Sequence, residues 1–342
     1  MSVYKTLTED DKISDVAIVT SGVFQDGASS IATFFTSSTQ YSATGDYSVD
    51  VYRYDPSTNA SASVQFGVAY GHVEGSGSSG GIGVTGDRTS AAVFGQFNNM
   101  INPPETTRFT FGENTTGKHF YAINFNRARI REKLEPGGWE VHLLNAAGSK
   151  VKLIDDSSAN KAGTTNERNF SPEFNIVSGT LVGGTTINTA ASAEDSTMGT
   201  YGTFYPSLGT LILNADRLAG AKPALVTATG SNADNRNQRS MYNIIKAGAY
   251  FQAKRQEDIT SRHFFVRATA KEFNATSNET YYTESIAGVK RIIGGMRSDP
   301  KTYITTVGMF NASDELLAIA KLSQPILKSK SREALIKVKL DF

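Results

Sequence analysis

The hydrophobic positions along this chain recur mostly at every second residue, and that spacing predicts short β-strands. Tyr47 to Tyr54 alternates through Val49 and Val51, and Ser63 to Tyr70 continues through Val64, Phe66 and Val68. Further strands are predicted at Lys118 to Phe125, Trp139 to Leu144, Lys150 to Ile154, Thr210 to Leu213 and His263 to Ala268. Each is bounded by Gly, Pro, Asp, Asn or Ser, the residues that turns demand. The last seven residues alternate without exception. Ile336, Val338, Leu340 and Phe342 interleave with Lys337, Lys339 and Asp341, which is a strand with one wet and one buried face.

Just before that strand, Tyr303 to Phe310 is apolar on both faces and rich in β-branched residues, and Asn311 to Asp314 is turn chemistry. Glu315 to Leu322 returns until Pro325. Together they predict a β-hairpin buried on both faces, although Glu315 to Leu322 alone also has good helix propensity.

Helical spacing appears in two places. Val93, Phe94, Phe97, Met100 and Ile101 form one stripe, capped by Asp87 or Thr89 and ended by Pro103-Pro104. Met241, Ile244, Ile245, Gly248 and Phe251 form the other, in a helix from about Ser240 to Gln256. A shorter helical piece is expected over Arg127 to Glu135. Polar stretches, chiefly Asp155 to Asn169 and Ser178 to Thr200, separate these elements. The expected fold class is therefore mainly β with a few helices (α+β), in antiparallel sheets or a sandwich with long polar loops. A boundary in Ser178 to Thr200 divides the chain into 1–180, β-rich with one helix, and 181–342, ending in the hairpin and terminal strand.

Composition sharpens this picture mainly by exclusion. The 342 residues are 39% hydrophobic and 20% charged, with 31 glycines and a formal net charge of +1. That balance argues against a general nucleic-acid or anionic-membrane binder. Without cysteine there is no disulfide, thiolate nucleophile, zinc knuckle or iron–sulfur ligand set. The charged start predicts no signal peptide, and no run of apolar residues predicts a spanning helix.

Candidate chemistry is thin. Gly112-Glu-Asn-Thr-Thr-Gly117-Lys118-His119 matches a P-loop except that His119 stands where a magnesium-binding Ser or Thr is required. The next residues, Phe120 to Phe125, look like a strand instead of a helix, so a hairpin turn is the favoured reading. Gly81-Ile-Gly83-Val-Thr-Gly86 matches a dinucleotide fingerprint, but a flexible Gly/Ser run precedes it in place of a strand. His72, His119, His142 and His263 lie far apart in sequence with no ligand spacing among them. The acid pairs Asp10-Asp11 and Asp155-Asp156 read as solvated turns. Arg127, Arg129, Arg131 and Lys133 form a basic cluster in which Arg131 and Glu135 can pair on a helix, a salt-bridged surface without the aromatics that base stacking needs. No catalytic, cofactor-binding or metal-ligating residue is assigned.

Three blocks resemble a known group. They are Tyr303-Ile-Thr-Thr-Val-Gly-Met-Phe-Asn with Glu315-Leu-Leu-Ala-Ile-Ala-Lys-Leu-Ser-Gln-Pro-Ile and Ile336-Lys-Val-Lys-Leu-Asp-Phe342; the opening Tyr4-Lys-Thr-Leu-Thr-Glu-Asp-Asp11; and Phe120-Tyr-Ala-Ile-Asn-Phe-Asn-Arg-Ala-Arg-Ile-Arg-Glu-Lys133 with Pro136-Gly-Gly-Trp-Glu140. They are similar to virion structural proteins of contractile-tailed phages, most of all those of marine and cyanobacterial myophages. The resemblance implies a non-enzymatic tail or baseplate component without cofactors, assembled in the host cytoplasm. Its expected partners are other virion proteins and copies of itself, not nucleic acid or membrane. A head or neck decoration or connector is the alternative within that class. A glycan-binding or glycan-degrading particle protein is the alternative outside it, and would need aromatic and acidic residues along one groove, where the sequence offers 14 scattered tyrosines but only one tryptophan, Trp139, beside a turn.

Overall fold

The computed structural model describes residues 4–37, 47–75, 89–112, 115–165, 172–181, 183–188, 199–220, 224–228, 236–284 and 288–341. The fold is mainly β, with antiparallel sheets and a few helices. Two compact units are present, Ile18–Glu257 and a second made of Met1–Ala17 with Asp258–Phe342. The chain passes between them inside two strands, β1 (Lys12–Gly22) and a long strand, Lys254–Ala268.

The larger unit is built on one twelve-stranded sheet. Its main strands are β2 (Ser48–Tyr52), β3 (Val64–His72), β4 (His119–Phe125), β5 (Glu140–Leu144), β6 (Lys150–Asp155), β7 (Pro172–Thr180), β8 (Gly202–Tyr205), β9 (Thr210–Asn214) and β10 (Phe251–Gln252). From one edge to the other, the short strand Ser30–Ile31 is followed by β10, β5, β6, β7, β8, β9, β4, β3 and β2. β7 and β8 are hydrogen-bonded neighbours, so the expected division at 180/181 falls inside this unit.

Alternation sends the two sets of side chains into two cores. Val49, Val51, Phe66, Val68, Tyr121, Ile123, Leu211 and Leu213 enter one of them. It is closed by α2 (Ala215–Ala219) and α3 (Arg236–Gly248), which contribute Leu218, Met241, Ile244 and Ile245. Ala69, Phe120, Ala122 and Ile212 face the other way, under α1 (Thr89–Ile101) and its Val93, Phe94 and Ile101. Alanines at 69 and 122 leave room for the helix, and Phe94 packs on Phe120 at 5.5 Å between ring centroids. Trp139 is buried against Phe204 in the first core, which removes it from any surface role.

Two helices end earlier than their spacing predicts. α3 stops at Gly248, where a Cβ would lie 1.9 Å from the carbonyl oxygen of His142, and Ala249 then turns left-handed at φ 51°. Phe251, expected on that helix, is instead in β10. The piece expected over Arg127 to Glu135 is one turn, Arg127–Ile130. Arg131 leaves it at φ 61°, and Lys133–Leu134 is a strand. Asp87, the alternative cap for α1, lies outside the described residues.

In the smaller unit, β11 (Lys254–Ala268) pairs antiparallel with the terminal strand, here β14 (Ala334–Asp341), from Ser261↔Asp341 to Ala268↔Ala334. Ala334, Ile336 and Val338 are buried while Leu335, Lys337 and Lys339 are exposed, so the period-two expectation holds over the described residues. Phe342 lies outside them. Between β11 and β14 the chain forms β12 (Lys301–Phe310) and β13 (Leu316–Ser329), which pair with each other from Lys301↔Ser329 to Phe310↔Leu316. The segment from Glu315 that had both strand and helix character is a strand, because its backbone groups complete a ladder with β12.

Candidate assembly surface and the polar clusters

The β12–β13 hairpin has the strands expected of it and the opposite environment. A hairpin buried on both faces was expected, yet β12 and β13 form a two-stranded sheet of their own. At about 3.3 Å per residue, the ten residues of β12 span about 33 Å. Tyr303 is 64% exposed, Leu317 67% and Ile319 58%, and Phe310 and Leu316 are also exposed. An apolar two-faced pattern records that a strand avoids water; it does not say whether its own chain or another covers it. These five side chains leave on the order of 500 Å² of apolar surface, near the upper end of what isolated monomers carry.

The arm is fixed at its base and open at its tip. Thr302 Oγ1 donates to the Phe273 carbonyl at 2.9 Å. Lys328 is fully buried, and its Nζ donates to the carbonyl of Ala270 at 3.1 Å and to Asn274 Oδ1. Burial lowers the pKa of that ammonium. Toward the tip, Gly308 gives up its side chain beneath Phe310 and Leu316, for a Cβ there would sit 3.0 Å from the Phe310 ring. Phe310 also receives Tyr4 edge-on at 5.2 Å. The turn itself is closed by Asn311, whose Oδ1 accepts from the backbone amides of Ser313 and Glu315 at 2.9 and 2.8 Å.

Most of the described residues that carried candidate chemistry fasten the fold; His263 lies on β11, where its Nδ1 is buried without a hydrogen-bond partner. In the P-loop-like segment, Thr115–Gly117 pairs with Phe109–Phe111 and runs straight into β4, with no helix among the described residues there to receive a phosphate; residues 113 and 114 lie outside them. Gly81 to Gly86 lies outside the described residues.

The histidines are not all apart. His72 and His119 face each other in the β3–β4 register, with ring centroids 5.3 Å apart. Tyr70 Oη lies 2.8 Å from His119 Nδ1, and His119 Nε2 lies 2.8 Å from Asp216 Oδ1 on α2. Both ring nitrogens of His119 are therefore occupied. Burial, with the Asp216 charge second, pushes the Tyr70 phenol far up. Burial, and then the neighbouring His119, lowers the pKa of His72. The chain of bonds ties β3, β4 and α2 together. Cross-strand register creates this cluster, and spacing along the sequence carries no trace of it.

A second cluster surrounds Glu140, which is fully buried. It accepts from His142 Nε2 at 2.6 Å, from the Leu181 amide at 2.7 Å and from Thr180 Oγ1 at 3.3 Å. His142 stacks near Tyr250, and its burial lowers its pKa against the opposing pull of Glu140.

Asp155 was expected in a solvated turn and is buried. Its carboxylate accepts from the amides of Gly137 and Ser157, the closest at 2.9 Å, and burial raises its pKa. Asp156 accepts from the Asn175 amide at 2.9 Å, and Asp11 caps Thr8 at the same distance.

Because the short helix ends at Ile130, Arg131 pairs with Glu257 at 2.9 Å and not with Glu135. Arg127 and Arg129 bind backbone carbonyls, of Ser207 at 2.8 Å and of Val64 at 3.2 Å. The basic cluster thus locks a turn in place. Among the described residues, no group of three or more acids or histidines could hold a metal ion. No helix among them is long and apolar enough to cross a membrane. The chain matches no protein-family model, no curated protein and no solved structure.

Proposed function

We propose that this chain is a non-enzymatic structural component of a tailed-phage virion, assembled in the host cytoplasm into the tail or baseplate. The observation that carries the reading is the β12–β13 arm, clamped at its base by Lys328 and Thr302 and apolar where it stands free. A two-stranded ribbon is marginal in water by itself, so covering it with a neighbouring subunit stabilises both partners. Rotational symmetry would repeat that contact around a ring and turn a modest patch into a firm assembly. The three blocks similar to contractile-phage structural proteins support the same reading, and two of them fall on β12–β14 and on β4 with its following turn.

Localising a tagged copy of the chain in purified particles by cryo-electron microscopy tests this proposal. Density for the chain in the tail or baseplate, with the arm against a neighbour, is the expected result. Density at the head or neck would move the address, and absence from particles would overturn the reading.

A further inference from the structure

Four strands of the large sheet place polar or side-chain-free positions in one rank beside α1. Asp50 pairs with Gly67, Gly67 with Asn124, and Asn124 with Thr210, so these positions cross β2, β3, β4 and β9 in register. They lie on the same side of the sheet as Ala69, Ala122 and Ile212, where α1 covers the next rank. The helix does not cover this one. A cavity of about 470 Å³ opens there, floored by the rank and walled by Tyr47, Phe97, Met100 and Arg127. Its size is that of a small-ligand site.

Asn124 is exposed although every other described residue of β4 except His119 is buried, a sharp exception for a strand inside the sheet. Its Oδ1 accepts from Thr210 Oγ1 at 2.7 Å, and the side chain, with its amide NH₂, lines the cavity. That NH₂ has no partner among the described residues. Gly67 beside it supplies no side chain, and this is what makes the floor a trough. Nothing in the backbone requires glycine there: an added Cβ would meet Asp50 Oδ1 at 3.7 Å and Ser48 Cβ at 3.8 Å, ordinary contacts.

We infer that this trough binds a neutral saccharide unit. A sugar ring presents adjacent hydroxyls that both donate and accept, and the floor offers a carboxylate acceptor and an amide donor on nearby strands. It also presents C–H faces, which the Tyr47 and Phe97 rings and Met100, itself 41% exposed, can cover. One acid and one arginine leave the lining neutral in sum. Arg127 already gives one nitrogen to the carbonyls of Ser207 and Glu132, and the Asp50 carboxylate in the same lining repels a phosphate or carboxylate. This activity goes beyond the assembly role and does not depend on it.

The experiment is saturation-transfer NMR of the full chain with the methyl glycosides of glucose, galactose, mannose and N-acetylglucosamine, with glucuronic acid as the anionic comparison. At least one neutral glycoside is expected to bind. Gly67→Leu, which fills the trough, should abolish that binding while circular dichroism and thermal melting stay native. Asn124→Ala should weaken it about tenfold or more by deleting the free donor, and it decides the matter alone if the leucine variant fails to fold. Binding of no neutral glycoside, response to glucuronic acid only, or undiminished binding in a folded variant would each overturn the inference.

Discussion

Lys328 Nζ donates to the carbonyl oxygen of Ala270 at 3.1 Å, so a fully buried ammonium joins the base of the arm to the loop after β11. The same nitrogen serves Asn274 Oδ1. Lys328→Ala therefore removes a donor from two acceptors and leaves a hole where the alkyl stem packed. The expected loss is about 2–4 kcal/mol in chemical denaturation. Lys328→Met restores most of the volume and none of the bonds, so it should fall between wild type and alanine. A methionine variant as stable as wild type would mean that the stem, not the ammonium, holds the loop.

The arm surface separates stability from assembly. Leu317 and Ile319 are mostly in water in the single chain, so Leu317→Thr with Ile319→Thr should change unfolding free energy by no more than about 0.5 kcal/mol per site. Threonine keeps the strand propensity and removes the apolar surface. Sedimentation velocity over a range of concentrations, and incorporation into particles, should both show weakened association. Native assembly by this double variant would place the interface elsewhere.

Much of this architecture is written in local pattern, and the exceptions have identifiable physics. The terminal strand is legible because Ile336, Val338 and Leu340 alternate with lysines. α1 is legible because its apolar residues fall on one stripe. β7 and β8 are not, since their alternation is diluted by Ser, Thr, Asn and Gly within polar surroundings. The end of α3 depends on Gly248 meeting the His142 carbonyl, a contact between residues more than a hundred positions apart. The His72–His119 pair and the Asp50–Gly67–Asn124–Thr210 rank come from strand order, which no local pattern encodes. The arm shows the remaining gap: its strands are legible in local pattern, while its exposure is not.

Glu140 concentrates three donors on one buried carboxylate. Glu140→Ala leaves the Leu181 amide and the His142 ring without their acceptor, at an expected cost of about 3–5 kcal/mol. Glu140→Gln keeps one acceptor oxygen but sets its NH₂ against another donor, so it should recover only part of that loss. Thermal unfolding of the two variants against wild type measures both, and equal destabilisation would mean the charge itself is required.

Glu272 titrates far below an ordinary glutamate. The Lys5 ammonium at 2.9 Å is the first cause and the Thr269 amide at 3.0 Å the second, and together they lower its pKa to about 2. A carboxylate held below its unfolded value stabilises the fold above about pH 4.5, and the contribution is lost as pH falls toward 2. Carboxyl-carbon NMR should follow that titration directly. Lys5→Ala should move it back toward the ordinary range, and a midpoint unmoved by that change would leave the Thr269 amide as the dominant cause.

The terminal strand is a scaffold for β11 and should behave as one. Ile336 and Val338 bury their side chains while the backbone completes a continuous ladder from Ser261 to Ala268. Burial of each side chain stabilises by about 1.5–3 kcal/mol. Losing both, with the ladder, removes an amount comparable to the whole stability of a small unit. Deleting residues 336–342 should therefore leave β11 with β1 as its remaining long neighbour and lower the protection of 258–268 in hydrogen exchange and proteolysis, while the strands of the larger unit stay protected. A truncated chain that keeps β11 protected as a soluble monomer would show that β14 is dispensable to the fold, and would reassign it to contacts with other subunits.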